Sequence, residues 1–470
     1  MVPMQSQIPP AGGAPGAAAA APPSASVVRP PTRLPLDTSV RALGVVSLLN
    51  DISSEVTVRT LPLFLANVLG VKPSTIGLIE GLGESTATLL KLVSGSLTDR
   101  SGRRKPLALF GYALSGFSKP LLYFANGWGA VLVVRFLDRA GKGVRTPPRD
   151  ALIADLVPAA DRGRAFGFNK AMDKAGSVIG LLLAAGVLYA VQHGAAALTR
   201  HGYQSLVLLA VLPGVGSVWV LWRYVHEPVP ASGKARAAAA GGRATTRAVA
   251  ADRRATQSTS APHAPASPLA EDGGLRGSDS AADTGFDPRF WHYLAILVCF
   301  SLGNSSDAFL MLRAQQLGLS TFAVFLVAAL FSAVIAMTST AGGAISDRFG
   351  RRRMMILGWL IYAAVYFGFA VAGRAWHAVV LYAAYGLYYG AFQGASTALV
   401  ADLVPAARRG RAFGLLNAAM GVAALPASVI AGALWQQFGS PAPFVFGGSL
   451  ALIAAVWLAR LPLPSRGRTA

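Results

Sequence analysis

Gly95-Ser-Leu-Thr-Asp99-Arg100-Ser-Gly102-Arg103-Arg104-Lys105 and Gly343-Ala-Ile-Ser-Asp347-Arg348-Phe-Gly350-Arg351-Arg352-Arg353 share the pattern G-x-x-x-D-R-x-G-R-R-[KR], 248 positions apart. A second echo follows each copy. Ala151-Leu-Ile-Ala-Asp155-Leu-Val-Pro158 leads to Arg162-Gly-Arg164-Ala-Phe-Gly167, and Ala398-Leu-Val-Ala-Asp402-Leu-Val-Pro405 leads to Arg409-Gly-Arg411-Ala-Phe-Gly414. Two elements repeated at nearly one offset mean a duplicated half.

Each copy of the loop sits between long apolar runs. The chain has 470 residues, 53% hydrophobic and 13% charged, where a soluble domain carries about 25% charged residues. A bilayer-crossing helix needs about 20 mostly apolar residues. Twelve such runs fit, at 41–67, 74–98, 105–126, 128–148, 164–191, 204–225, 290–314, 320–346, 353–373, 375–401, 411–436 and 441–462. The fold class is therefore all-α integral membrane, with twelve transmembrane helices in two pseudo-symmetric six-helix bundles. The expected organisation is a disordered tail (1–38), a first bundle (39–225), a disordered Ala/Gly/Ser/Pro/Arg-rich linker (226–288), a second bundle (289–462) and a short tail (463–470). Residues 1–38 lack the basic-then-apolar order of a signal peptide.

The net charge of +21 does not point to nucleic acid, because Lys and Arg concentrate in short loops between apolar runs. Loops 2–3, 4–5, 8–9 and 10–11 are basic (Arg149 and Arg162 mark loop 4–5), while the alternate loops are nearly bare. The positive-inside rule then puts both termini and the linker in the cytoplasm of a cell whose plasma membrane holds the chain. Trp128, Trp222, Trp291, Trp376 and Trp435 near run ends are expected as interfacial anchors. Cys299 is the single cysteine and the six His are scattered, so neither a disulfide framework nor a metal site is expected. No G-x-x-x-x-G-K-[ST] loop is present, which argues against ATP-driven work. No cofactor is expected and the chain is not read as an enzyme, since no nucleophile–base–orienter set is visible.

The paired loop motif resembles the signature of the major facilitator superfamily of secondary transporters, over about residues 40–225 and 288–462. Runs such as LLNDISSE, GKGVRTPPRDALIAD and SLGNSSDAF resemble a little-characterised prokaryotic branch of it. The resemblance implies transport by alternating access of the two bundles. It also implies that Gly95, Asp99, Arg100, Gly102, Arg103 and Arg104, with Gly343, Asp347, Arg348, Gly350, Arg351 and Arg352, form a gate at the cytoplasmic mouth. In that family the motif stabilises the outward-open state. The bland alternative is that these basic residues only set topology and bind lipid headgroups.

Ionisable residues inside the bilayer cost at least about 2.5–3.5 kcal/mol each and default to a functional hypothesis. The fourth run carries Arg135, Asp138, Arg139, Lys142 and Arg145 on one helical face, and Thr146-Pro147-Pro148 is expected to end that helix. The first run carries Asp51, Glu55 and Arg59 on one face, and the second carries Glu80, Glu84 and Lys91. The first and fourth helices line the cavity in the resembled fold, so Asp51 is expected opposite Arg139 and Glu55 opposite Arg135. Asp51, Glu55 and Glu84 are the candidates for proton coupling; a purely structural ion-pair network is the alternative. In the second half Asp307 and Arg313 are expected to pair. Tyr385, Tyr388, Tyr389 and Phe392 share one face of the tenth run. That pattern reads as a cavity with one cationic and one aromatic wall, suited to an anionic or amphipathic compound, or as plain packing.

The expected activity is proton-coupled efflux of such a compound by a monomer in the lipid bilayer, with protons as the coupling ion and a small molecule as substrate. The exporter pattern of the fifth helix is incomplete at Gly176-Ser-Val-Ile-Gly180-Leu181, so antiport rests on analogy. Symport or facilitated uptake of an organic anion, and a transporter-like sensor or scaffold, are the alternatives.

Overall fold

A computed structural model describes residues 37–158, 161–193, 195–227, 286–405 and 408–462. Side chains are described except at 340–348, 391–395, 397, 398, 401, 402 and 409. The expected tails and the central linker lie almost wholly outside the described residues.

The described residues form helices and no strands. The first half holds α1 (Thr38–Asn67), α2 (Pro73–Ser101), α3 (Arg104–Ser118, prolonged by a 3₁₀ turn over Lys119–Phe124), α4 (Trp128–Leu156), α5 (Arg162–Gln192) and α6 (Arg200–Tyr224). The second holds α7 (Pro288–Gly303), α8 (Ala308–Gln316), α9 (Thr321–Phe349), α10 (Arg351–Val371), α11 (Ala375–Leu403), α12 (Arg409–Phe438) and α13 (Ala442–Arg460). Because α7 and α8 share one span, these helices make the twelve expected crossings. Seven crossings are long and apolar enough for a membrane by length and composition alone. Helices α1, α2 and α4 instead carry most of the intramembrane charges.

The duplication read from the loops is also visible in the packing. Helix α1 packs on α5 and α6, and α7 packs on α12 and α13; α2 packs on α4, and α9 on α11; α3 packs on α4 and α6, and α10 on α11 and α13. The halves meet through α2 against α12 and α5 against α9, a pair of contacts that exchange under the same symmetry. Each half even opens alike: Asp37 and Asp287 accept from the backbone N–H two residues on, both at 2.7 Å, and so cap α1 and α7.

The motif loops turn on glycine. Gly102 (φ +64°) follows α2 and donates its N–H to Thr98 O, and Gly350 (φ +88°) precedes α10. Both conformations are left-handed and suit glycine, which has no Cβ to clash. In the first loop Arg104 forms an ion pair with Asp155 and donates to Ala151 O, so the two repeated elements touch. The backbone N–H groups of Arg104 and Lys105 donate to Glu227, which caps α3 from the far end of the half. Asp99, Arg100 and Arg103 are exposed. In the second loop Arg352 donates to Ala459 O; the side chains of Asp347 and Arg348 lie outside the described residues.

Four expectations are corrected. Pro147 and Pro148 do not end α4, which runs on to Leu156. A proline at 148 removes the donor that would reach Val144 O four residues back, and Ser94 Oγ of α2 donates to that carbonyl instead, at 2.6 Å. Arg149 is consequently a helix residue, only 16% exposed, beside Asp150 (2.9 Å) and Asp173 (3.7 Å). Second, the seventh run breaks between Gly303 and Ala308. Third, the third run closes in a 3₁₀ turn over Lys119–Phe124. Fourth, Trp435 is buried against Phe309 and Phe444 rather than placed at an interface; Trp128, Trp222, Trp291 and Trp376 are exposed as expected.

Removing the Ser94 hydroxyl leaves a buried carbonyl unpaired at the proline step. Ser94→Ala is expected to lower stability by about 1 kcal/mol, read as a fall in the unfolding midpoint in detergent, while Ser96→Ala, on the exposed side of α2, leaves the midpoint unchanged.

Candidate functional site

Helices α2 and α4 run the same way, each starting at the end of the molecule remote from the motif loops. Glu80 and Glu84 are one turn apart on α2, and Arg135 and Arg139 are one turn apart on α4. Parallel helices with equal spacing make two rungs of a ladder: Arg135 Nη2 lies 2.6 Å from Glu80 Oε2, and Arg139 Nη1 lies 3.1 Å from Glu84 Oε1. Gly83 sits between the rungs. A Cβ there would lie 3.1 Å from Arg139 Cγ and 3.3 Å from Arg135 Nε, so its absence makes room for both arginine stems.

Asp138 turns the other way. It accepts from Ser115 Oγ at 2.5 Å and lies 3.8 Å from Lys119 Nζ. Lys119, only 2% exposed, also donates to Ser53 and Ser54 of α1. These contacts tie α1, α3 and α4 together and face packing, not the cavity.

On α1, Arg59 holds two carboxylates: Glu55 of its own helix at 3.0 Å and Asp307 of the other half at 3.1 Å. Asp307 is available because of the break in the seventh run. Gly303-Asn304-Ser305-Ser306-Asp307 is a cluster of turn formers. Tyr362 Oη donates toward Gly303 O (3.3 Å), a carbonyl that the interrupted ladder leaves open, and toward the side-chain oxygen of Asn304 (3.2 Å). Asp307 stands at the N-terminus of α8, where the helix dipole favours a carboxylate. Tyr385 Oη donates to its Oδ1 at 3.1 Å. The Tyr385 ring is in turn stacked on Phe331 at 5.3 Å within a packed aromatic cluster that includes Tyr362, Tyr366 and Tyr388.

These groups surround a central cavity of about 390 Å³. Its charged lining is Glu55, Glu80, Glu84 and Asp307 against Arg59, Arg135, Arg139 and Lys142. The second half adds mainly neutral hydrogen-bonding groups, Ser301, Asn304, Ser305, Ser306, Tyr389 and Ser428. Polar contacts between the halves lie mostly at the end remote from the motif loops, with Ser85 Oγ donating to Gly421 O near the middle of α2 and α12. Asn67 bonds Gln315, Ser74 bonds Gln436, and Gln315 and Thr321 both donate to Ala196 O. The close backbone approaches of α2 to α12 fall in the same part, at Gly77 on Ser428 and Gly81 on Leu425.

The sequence profile of the Major Facilitator Superfamily matches residues 43–338 and 294–470. The chain belongs to this superfamily. It is similar to an uncharacterised MFS-type transporter of Methanocaldococcus jannaschii, 29% identical over 429 residues, 90% of this chain and 94% of that one. A shorter similarity, 29% over 146 residues (31% of this chain and 36% of that one), is to the multidrug resistance protein MdtH of Aeromonas hydrophila. Among solved structures, the nucleoside transporter NupG (D323A mutant) superposes with a TM-score of 0.68 at 11% identity, over 90% of this chain and 99% of that one. The molecule is thus a multi-pass membrane transporter of the MFS kind, not an enzyme.

Within this MFS fold the predicted site residues divide. Glu55, Glu84, Arg135, Arg139, Lys142, Asp307 and Tyr389 line one cavity. Asp51 does not stand opposite Arg139. It accepts from Asn50 Nδ2 at 3.2 Å, and its Cβ lies 3.1 Å from where a side chain on Gly176 of α5 would begin. Equal depth in the membrane suggested the pairing of α1 with α4, but the missing side chain of Gly176 draws this part of α1 onto α5. Glu55 likewise pairs with Arg59 and not with Arg135. Arg313 does not meet Asp307. It donates to the carbonyls of Phe369, Ala370 and Ala372 and to Ser440 Oγ, and so fastens the end of α10. Tyr385 acts on the cavity through Asp307, and Tyr388 belongs to the aromatic packing. The side chain of Phe392 lies outside the described residues.

Sequence reasoning missed Glu80 as the partner of Arg135, Arg59 as the bridge between halves, and Lys119. The signal for the first was present: matching i, i+4 pairs of opposite charge on two even-numbered, hence parallel, helices.

Glu80→Gln strands the 3% exposed Arg135 without its nearest counter-charge. It is expected to cost about 3–5 kcal/mol, measured as loss of thermal stability in detergent. Glu80→Gln with Arg135→Met, which removes both charges, is expected to recover most of that loss.

Proposed function

We propose that this chain is a secondary active transporter that exports a small anionic or amphipathic compound across the plasma membrane in exchange for protons, with the motif loops and termini on the cytoplasmic side. The observation that carries the reading is the Arg59 bridge. One guanidinium joins Glu55 in the first half to Asp307 in the second, on the wall of the central cavity. Opening the remote end requires this cross-half contact to break together with the Asn67–Gln315 and Ser74–Gln436 bonds. Buried charges part only when another charge or a proton replaces the lost partner.

In this reading the described arrangement faces the cytoplasm, closed at the outer end. Substrate enters from the motif side, where Glu84 (45% exposed side chain) is far more open than Glu80 (4%) one turn deeper. A charged group of the substrate displaces Arg59 from Glu55 and Asp307 and lets the outer ends of α1 and α8 separate. After the substrate leaves, Glu55 or Asp307 takes a proton from the outer side, carries it across as the outer end closes, and loses it to the cytoplasm as the bridge re-forms. Glu84 offers a second protonation site that competes with Arg139, whereas Asp51 lies off the cavity and is assigned no coupling role. The motif loop, with Arg104 held to Asp155, moves as part of the first half and meets the second half only when the inner end closes. The similarity to a multidrug resistance protein supports the efflux direction.

The test is substrate-evoked proton flux in proteoliposomes of known orientation. Proton movement counter to substrate is expected, and Glu55→Gln and Asp307→Asn are each expected to abolish it. Substrate flux with no proton signal, unchanged in both variants, excludes coupling at this bridge; protons moving with the substrate make the chain a symporter. A separate check uses the Cys299→Ser background with cysteines at 67 and 315: cross-linking these is expected to stop turnover by holding the outer end shut.

A further inference from the structure

The charges of the cavity balance in number but not in place. Arg135 and Arg139 share the two carboxylates of α2, Arg135 lying 2.6 Å from Glu80 and 3.9 Å from Glu84 and Arg139 3.1 Å from Glu84, with Asp138 3.6 Å from Arg139. Arg59 is shared by two carboxylates, Glu55 and Asp307, which leaves a surplus negative charge there. Lys142 lines the same cavity and makes no ion pair within 4 Å among the described residues; Glu84, already held by Arg139, and Asp51, off the cavity, act on it only from further away, which leaves a positive charge without a close partner there. Ser306 Oγ donates to Glu80 Oε2 at 3.3 Å, so Asp307 lies near the level of Glu80 and Arg135. Lys142 is two turns further along α4 from Arg135, about 10 Å at 1.5 Å per residue. The cavity is a built dipole, negative towards its outer end and positive towards the motif side.

The second half lines the cavity with Ser301, Asn304, Ser305, Ser306, Tyr389 and Ser428 and also with Ala308, Met311, Met420 and Ala424, a mixture that suits a short carbon chain between two charged groups.

We infer that the transported compound is a small hydrophilic zwitterion whose ammonium and anionic groups are separated by several bonds, the ammonium lying towards Glu55 and Asp307 and the anionic group towards Lys142. This rests on the transport reading above and changes its substrate from a simple anion to one that carries a cationic group as well. A simple anion would satisfy Lys142 and leave the carboxylate surplus uncompensated; a simple cation would do the reverse. Only a molecule carrying both charges neutralises both ends in a medium where unpaired charge is costly.

The experiment compares ω-amino acids of three to six carbons with the carboxylate and the ammonium ion of the same length. Binding to the purified full chain is read by thermal stabilisation in detergent, and movement by counterflow in proteoliposomes. For the wild type, at least one ω-amino acid is expected to bind about tenfold more tightly than either of its single-charge partners. Lys142→Gln, which removes the surplus cation, is expected to shift preference to the ammonium ion. Lys142→Arg is expected to retain the zwitterion preference. A wild type that binds and moves the carboxylates as well as the amino acids overturns the inference and leaves the transport reading intact. Counterflow of none of the three classes, with no stabilisation, counts against both. A Lys142→Gln variant that loses stability without changing the order of preference reduces Lys142 to a structural role and overturns the inference.

Discussion

A charge in a membrane helix must find its opposite, and in this molecule that requirement organises the first half. Glu80 and Glu84 on α2 answer Arg135 and Arg139 on α4 rung for rung. The equal spacing fixes the parallel register of the two helices, and Gly83 allows the stems to lie close. Lys119 and Asp138 do the same between α3 and α4, with two serines of α1 completing the lysine's shell. Breaking any one of these leaves a charge with nowhere to go, which is why the network is rigid as well as polar.

The second half solves a different problem. It carries few charges, and its core is built from stacked tyrosine and phenylalanine rings around Tyr362, Tyr366 and Tyr385. That packing holds two hydroxyls in place. Tyr362 stabilises the broken seventh span, and Tyr385 fixes Asp307. The half with many charges and the half with many rings therefore meet at one carboxylate. Arg59 reaches it from across the interface, so the state of the bridge reports on the relative position of the two halves.

The division of labour accounts for what could be read in advance. The paired loops, the twelve crossings and the duplication depend on local composition and periodicity, and these survive translation into structure almost unchanged. Gly102 and Gly350 stand where a left-handed turn is needed. Five of the proposed cavity residues, Arg135, Arg139, Lys142, Asp307 and Tyr389, share a cavity with two of the proposed coupling residues, Glu55 and Glu84. The pairings were harder. Depth along the membrane normal put Asp51 beside Arg139, but rotation about the helix axis is set by neighbours, and Gly176 brings α5 against that face of α1. Pro147 and Pro148 read as a helix end because the compensating hydroxyl, Ser94, lies on another helix. Gly303–Asp307 carried the composition of a turn but sat inside an apolar run of ordinary length, and the length prevailed.

By itself, the sequence determined the membrane class, the two-fold repeat, the position of the motif loops and the residues that bring charge into the bilayer, since each follows from hydropathy and spacing along one chain. The tertiary structure alone decided which carboxylate meets which cation. An ion pair requires both partners within about 4 Å, and that distance depends on the rotation and tilt of several helices at once. Arg59 and Asp307, 248 positions apart, are joined only when both halves are in place.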